Sequence, residues 1–293
     1  MFLELDIPSP TDHHYVRSVM KSLKRRLPGA SQKKAVTVQM LRAFAAVGFF
    51  RTSAAGARGK FHRALWAAIL LGFHALLRGS EYAWKPKQPG AEWTPEEGLC
   101  RADVTFLPSE GPEGPAAMGG GYIPKAMLLR IKSSKVDPFK HGCEFVFHAT
   151  CGPLCVVAAV YASFLDGGVV GTCPGNPLFT GSSGHLPLSF QAVTAAIKAA
   201  IPCIVHLIPG LSAADFTSHS LRSGGATALL AAGYSVEFVK VIGRWRSDAW
   251  RTYAQLDIST TQNIARAMQE SVKERPIFHF NDLCKDATAH FRG

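Results

Sequence analysis

Apolar residues recur along this chain at two spacings, and the changes of spacing mark the elements. Over residues 11–26 the stripe Val16, Val19, Met20 and Leu23 alternates with Arg17, Lys21, Lys24 and Arg25, a period that predicts a helix. Leu27-Pro28-Gly29-Ala30 ends it. Helices are likewise expected over residues 37–49, from about 60 to 77, and over 153–165 and 190–200. Residues 102–107, 126–131 and 144–147 read as strands. The last two flank a basic turn, which makes a hairpin with Lys132, Lys135 and Lys140 at its tip. Three short helices are expected next: one capped by Thr217 or Ser218 and stopped at Gly233, one from Ser235 to Gly243, and one opened by Ser247 and Asp248. The third carries Tyr253. A further amphipathic helix covers residues 260–273, with Ile264, Met268 and Val272 on one face. Pro- and Gly-rich stretches over 85–122, outside the strand, and over 171–188 read as loops, as does 201–215. No repeat is visible. The fold class that follows is α+β, mainly α-helical with a small antiparallel three-stranded sheet.

Composition narrows the class. The 293 residues are 47% hydrophobic with mean hydropathy near zero, which fits a globular chain of one large domain, or one and part of a second. The longest apolar run, residues 65–77, contains His74 and is shorter than the roughly 20 residues a membrane helix needs. The opening MFLELDIPSP is acidic and lacks the apolar core of a secretory leader. Seven cysteines without secreted-scaffold density suggest reduced thiols inside a cell. A formal net charge of +11 changes the picture more. Residues 1–60 hold eleven basic and three acidic side chains. Such an imbalance suits a polyanion, most often nucleic acid, although a merely basic protein would share it.

Candidate chemistry lies in a few polar residues set in apolar surroundings. Arg78 follows an apolar run where its helix must stop, placed either to face a ligand or to pair with Glu81. His219 and Arg222, three apart, share a helix face. Trp245 and Tyr253 follow. His141, Cys143, His148, Cys151 and Cys155 lack paired zinc spacing, so neither a metal nor a cofactor is expected. GxSxG, P-loop and GxGxxG patterns are missing from the sequence.

Taken in order, these residues resemble the tyrosine recombinase (phage integrase) family. The resemblance rests on Leu77-Arg78-Gly79-Ser80-Glu81, Ser134-Lys135-Val136-Asp137, His219-Ser220-Leu221-Arg222 with Gly224-Gly225-Ala226-Thr227, and Gly243-Arg244-Trp245-Arg246-Ser247-Asp248-Ala249, with Tyr253 eight residues past Trp245. The last block looks most like recombinases of the eukaryotic mobile elements DIRS, Ngaro and Crypton. The resemblance implies the recombinase catalytic-domain fold over residues 36–275, with 85–122 as a loop-rich insertion and 276–293 as a tail. Residues 1–35 are then the last helix of a truncated core-binding domain plus a basic linker.

The same resemblance implies DNA cleavage and rejoining through a 3′-phosphotyrosine link. Arg78 and Arg222 would fork onto the phosphate, Tyr253 attack it, and His219 act as base. Lys135, with Lys132 on the same hairpin as the alternative, would be the general acid. Trp245 would hydrogen-bond phosphate, and Glu81 support the site. Further DNA contacts are expected from Lys24, Arg25, Arg26, Lys33, Lys34, Lys132, Lys140, Arg244 and Arg246. The implied partners are double-stranded DNA and copies of the chain, as a tetramer on DNA, without a membrane. The expected compartment is the nucleus in a eukaryote and otherwise the cytoplasm. The rival reading is a DNA-binding protein that keeps the fold but is catalytically idle; relaxation of supercoils by the same chemistry is a third.

Overall fold

A single apolar helix organises the described residues. The computed structural model describes residues 14–16, 18–19, 22, 33–50, 55–86, 91–107, 124–132, 142–150, 152–166, 174–182, 186–245 and 250–251. All of these belong to the first of two units, Met1–Gln255. Helix α1 (Val38–Ala46) opens on Thr37, whose hydroxyl accepts the Met40 N–H at 3.2 Å. Helix α2 (Gly56–His74) has an exposed basic start and is buried from Ala64 to Phe73. It is apolar all round because other elements cover every side.

A four-residue helix, α3 (Gly79–Tyr82), follows, and then strands β1 (Val104–Leu107), β2 (Ala126–Ile131) and β3 (Cys143–His148). They form one antiparallel sheet in the order β1-β2-β3, with Val104 opposite Leu129 and Ala126 opposite His148. The expected architecture, mainly helical with a small three-stranded antiparallel sheet, is therefore the observed one. Helix α4 (Val156–Asp166) packs on α2 and is tied to it by Arg63, which grips both Asp166 carboxylate oxygens at 2.6 and 2.9 Å. Phe106 of β1 meets Tyr161 and Phe164 of α4 edge-on. Helices α5 (Phe190–Ile204), α6 (His219–Ala231) and α7 (Val236–Gly243) follow.

Several expected boundaries move for local reasons. The helix foreseen from 60 to 77 runs from Gly56 to His74, because Leu76 adopts φ 48° and turns the chain. The strand foreseen from 102 begins at 104, since the Asp103 carboxylate accepts the Cys100 N–H at 2.8 Å and winds a short turn first. Helix α5 continues past residue 200 to bury Ile201 and Ile204, with Pro202 in its last turn. Neither Thr217 nor Ser218 caps α6 with its side chain; Ser220 Oγ accepts the Thr217 N–H at 3.0 Å, and Ser218 precedes the helix in helical geometry. Cys155 lies ahead of α4, where its Sγ accepts the Ala158 and Thr150 N–H groups. Most of the helix expected over 11–26, and all of that expected over 260–273, lie outside the described residues. None of the described helices is long and apolar enough to cross a membrane.

Two glycines let α6 lie close to its neighbours. A Cβ on Gly224 would stand 1.8 Å from the Val36 carbonyl oxygen, and one on Gly225 would stand 2.1 Å from that of Phe73. Both obstacles are backbone, which cannot swing aside. Gly224→Ala is therefore expected to cost about 1–3 kcal/mol in urea unfolding. An unchanged midpoint would show that α6 does not approach this closely.

Candidate functional site

The site begins at the corner that ends α2. Leu76 is left-handed, and its carbonyl points back into the protein. Arg78 then starts α3, its backbone N–H donating to Glu81 Oε2 at 2.7 Å and its guanidinium to Oε1 at 3.1 Å. Arg78 remains half-buried and Glu81 is buried. The carboxylate thus braces the Arg78 backbone and side chain together, as a positioning residue would.

Arg222, on the inner face of α6, reaches the same corner. It is 1% exposed. Its Nη1 donates to the Leu76 carbonyl and its Nη2 to the Gly243 carbonyl at the end of α7. Its guanidinium also lies 4.2 Å from the centre of the Trp245 ring. Trp245 fits there because residue 243 is glycine: a Cβ would meet its ring at 1.8 Å. Arg244 ends α7 in left-handed geometry and turns its own guanidinium inward. Nη2 reaches Glu81 Oε2 at 2.7 Å and the Leu76 carbonyl at 3.3 Å, while Nη1 reaches the Ala75 carbonyl at 3.2 Å. A continuous series of contacts therefore joins Arg78, Glu81, Arg244, the Leu76 carbonyl and Arg222. The Arg244 guanidinium is also 5.8 Å from the Phe145 ring of β3, which brings the hairpin strands beside this cluster.

His219 stands at the first position of α6, one turn before Arg222. Its imidazole packs tilted on Phe190, ring centres 5.6 Å apart. Burial first, then the positive charges of Arg222 and Lys85, hold its pKa below the ordinary 6.5. The ring is therefore neutral at pH 7 and able to accept a proton. Lys85 and Phe190 were not singled out from the sequence. Phe190 read as a helix-start apolar residue and Lys85 as part of a loop, and only chain pairing brings them to His219. Tyr82, beside Arg78 in sequence, is no candidate nucleophile: it is buried, and its hydroxyl hydrogen-bonds the Ser218 carbonyl. Burial pushes its pKa up.

Of the remaining expected site residues, several have protein partners. Lys132 Nζ is 2.9 Å from Asp103 Oδ2 and also bonds the Pro95 carbonyl and Cys100 Sγ. Burial lowers its pKa, but the contacts with Asp103 and Cys100 outweigh it and leave the ammonium strengthened. Lys33 donates to the Ala214 carbonyl, and Lys34 pairs with Asp215 at 2.8 Å. These contacts, with the Val36 N–H on the Ser220 carbonyl, lay the basic linker along the start of α6. Lys135, Tyr253, Lys24, Arg25, Arg26, Lys140 and Arg246 lie outside the described residues.

Two outcomes check this geometry. Glu81 and Arg244 are each 9% exposed, so Glu81→Ala, which strands two arginines, should cost ~3 kcal/mol in urea unfolding. A loss below about 0.5 kcal/mol, as at an ordinary surface position, would contradict the arrangement. The His219 ring-proton resonance, assigned by its loss in His219→Gln, should titrate with a midpoint below 6.5. A midpoint above that value would contradict the burial of the ring beside Arg222 and Lys85.

No protein-family model matches the chain, and no curated protein does. Among solved structures, XerA recombinase is similar over 85% of this chain and 67% of its own, at 13% identity and a TM-score of 0.49. XerH site-specific recombinase, in a post-cleavage complex with a palindromic difH substrate, is similar over 82% of this chain at 14% identity and a TM-score of 0.49. The match spans 54% of XerH, little more than half its length. The Tn1549 transposon integrase, in complex with transposon right end DNA, is similar over 85% of this chain and 70% of its own, at 14% identity and a TM-score of 0.47. At such identities, with TM-scores below 0.5, these likenesses add nothing to the chemistry of the site, which is read from its own residues.

Proposed function

We propose that this chain is a DNA strand transferase of the tyrosine-recombinase type, acting through Tyr253. The observation that carries the reading is the unbroken series of contacts from Arg78 through Glu81, Arg244 and the Leu76 carbonyl to Arg222. These residues are distant in sequence and share one corner beside a neutral histidine. Phosphodiester cleavage asks a protein mainly for positioning and for charge at the phosphorus. Permanently charged, planar arginines suit that demand better than lysine does.

In the proposed step the Tyr253 phenol loses its proton to His219, and its oxygen bonds to phosphorus. The P–O5′ bond breaks, and the departing oxygen takes a proton from Lys135. The 3′-phosphotyrosine conserves the bond energy, so a 5′ hydroxyl can reverse the step and rejoin strands. Trp245 packs against Arg222 and sets its orientation. Lys33 and Lys34, with the basic residues near the start of the chain and on the hairpin, would follow the DNA backbone. Assembly of several copies on DNA belongs to the same reading, as does an origin in a mobile element.

One observation favours the rival, an idle DNA-binding protein descended from such a recombinase. Arg222 is 1% exposed with hydrogen bonds to two carbonyl groups, so touching phosphate requires its neighbours to move. A nicked suicide duplex separates the two readings. The active protein should give a covalent adduct resolved by denaturing electrophoresis, and Tyr253→Phe should abolish it. An adduct that survives Tyr253→Phe would exclude the assigned nucleophile, and binding without any adduct would favour the idle form.

A further inference from the structure

Beyond the residues assigned above, Lys85 stands over the same site with no acidic partner among the described residues. Its backbone is fixed although its side chain is exposed. Ala83 leaves α3 in extended geometry, and Trp84 then pairs with the segment before α5. The Trp84 N–H donates to the Leu188 carbonyl at 2.8 Å, and the Phe190 N–H to the Trp84 carbonyl at 2.9 Å. This clip places the Lys85 ammonium 6.0 Å from the centre of the Phe190 ring.

Phe190 links several parts of the site. It packs on His219, and a Cβ on Gly79, the residue after Arg78, would meet its ring at 2.3 Å. One aromatic ring thus lies against Gly79 and the imidazole and has the lysine 6.0 Å from its centre. Glu81 answers Arg78 and Arg244 together, so two guanidiniums already share one carboxylate before Lys85 is added. Such an excess of positive charge repels itself unless an anion is present. A lysine, as a mobile point charge, suits a backbone phosphate that needs attraction more than orientation.

We propose that Lys85 is an additional DNA-phosphate contact of this site, holding the phosphodiester next to the one served by Arg78, Arg222 and His219. The inference rests on the DNA-binding part of the proposed function and is indifferent to whether Tyr253 reacts. Lys85 holds the strand beside the ring of Phe190, against which the imidazole packs.

Binding to a short fluorescein-labelled duplex, followed by anisotropy between about 50 and 200 mM salt, tests it. Lys85→Ala should weaken binding and flatten the plot of log K against log salt by about 0.9, the loss of one phosphate contact. Lys85→Arg should keep the wild-type slope. A Lys85→Ala slope equal to that of the wild type overturns the assignment while leaving the DNA-binding reading in place. A wild-type protein that shows no salt-dependent binding overturns both. Because Lys85 is exposed, its substitution should leave the thermal midpoint unchanged, and a lowered midpoint accompanied by an unchanged slope would mark the residue as structural.

Discussion

The inward-facing carbonyl of Leu76 and the carboxylate of Glu81 are the two acceptors on which three separated stretches of chain converge. Leu76 is held in left-handed geometry at φ 48°, a conformation that costs a non-glycine residue about 1–2 kcal/mol. The turn is compensated by what it aims: its carbonyl receives donors from both Arg222 and Arg244. Glu81, five residues on, takes the Arg78 guanidinium on one oxygen and the Arg244 guanidinium on the other. With either acceptor gone, buried or half-buried guanidiniums would face each other without compensation, and the ends of α2, α6 and α7 would lose their common anchor.

The same constraint explains features that look unrelated. Gly243 is required because Trp245 covers its Cα, and Trp245 is there because it stacks on Arg222. Gly224 and Gly225 allow α6 to come close enough for Arg222 to reach Leu76. Gly79 admits the Phe190 ring that carries His219 and Lys85. Each small residue sits where a large or charged neighbour must approach backbone. Packing and electrostatics are here a single requirement.

Among the described residues, these cations divide into two kinds. Arg222, Arg244 and Lys132 are engaged in a buried or half-buried setting, and their charge holds the fold together. Lys33, Lys34 and Lys85 keep exposed side chains, and the first two also pin the linker to the start of α6. Freeing Arg222 would require local rearrangement around Trp245, and freeing Lys132 would require breaking its pair with Asp103.

Much of this protein could be read before any coordinates. The 3.6-residue period marked the helices, and the strands at 126–131 and 143–148 stood within a residue of where the pattern put them. The order of Arg78, His219 and Arg222 was visible because polar residues in apolar runs are conspicuous. What the sequence could not contain were the relations between segments. That Arg244 turns inward to Glu81, that Lys132 is taken up by Asp103, and that Lys85 and His219 both lie by Phe190 all depend on chain pairings over tens to hundreds of residues. Local periodicity records which face of an element is buried and carries no record of which neighbour buries it, so the partners of these cations were decided only when the chain closed on itself.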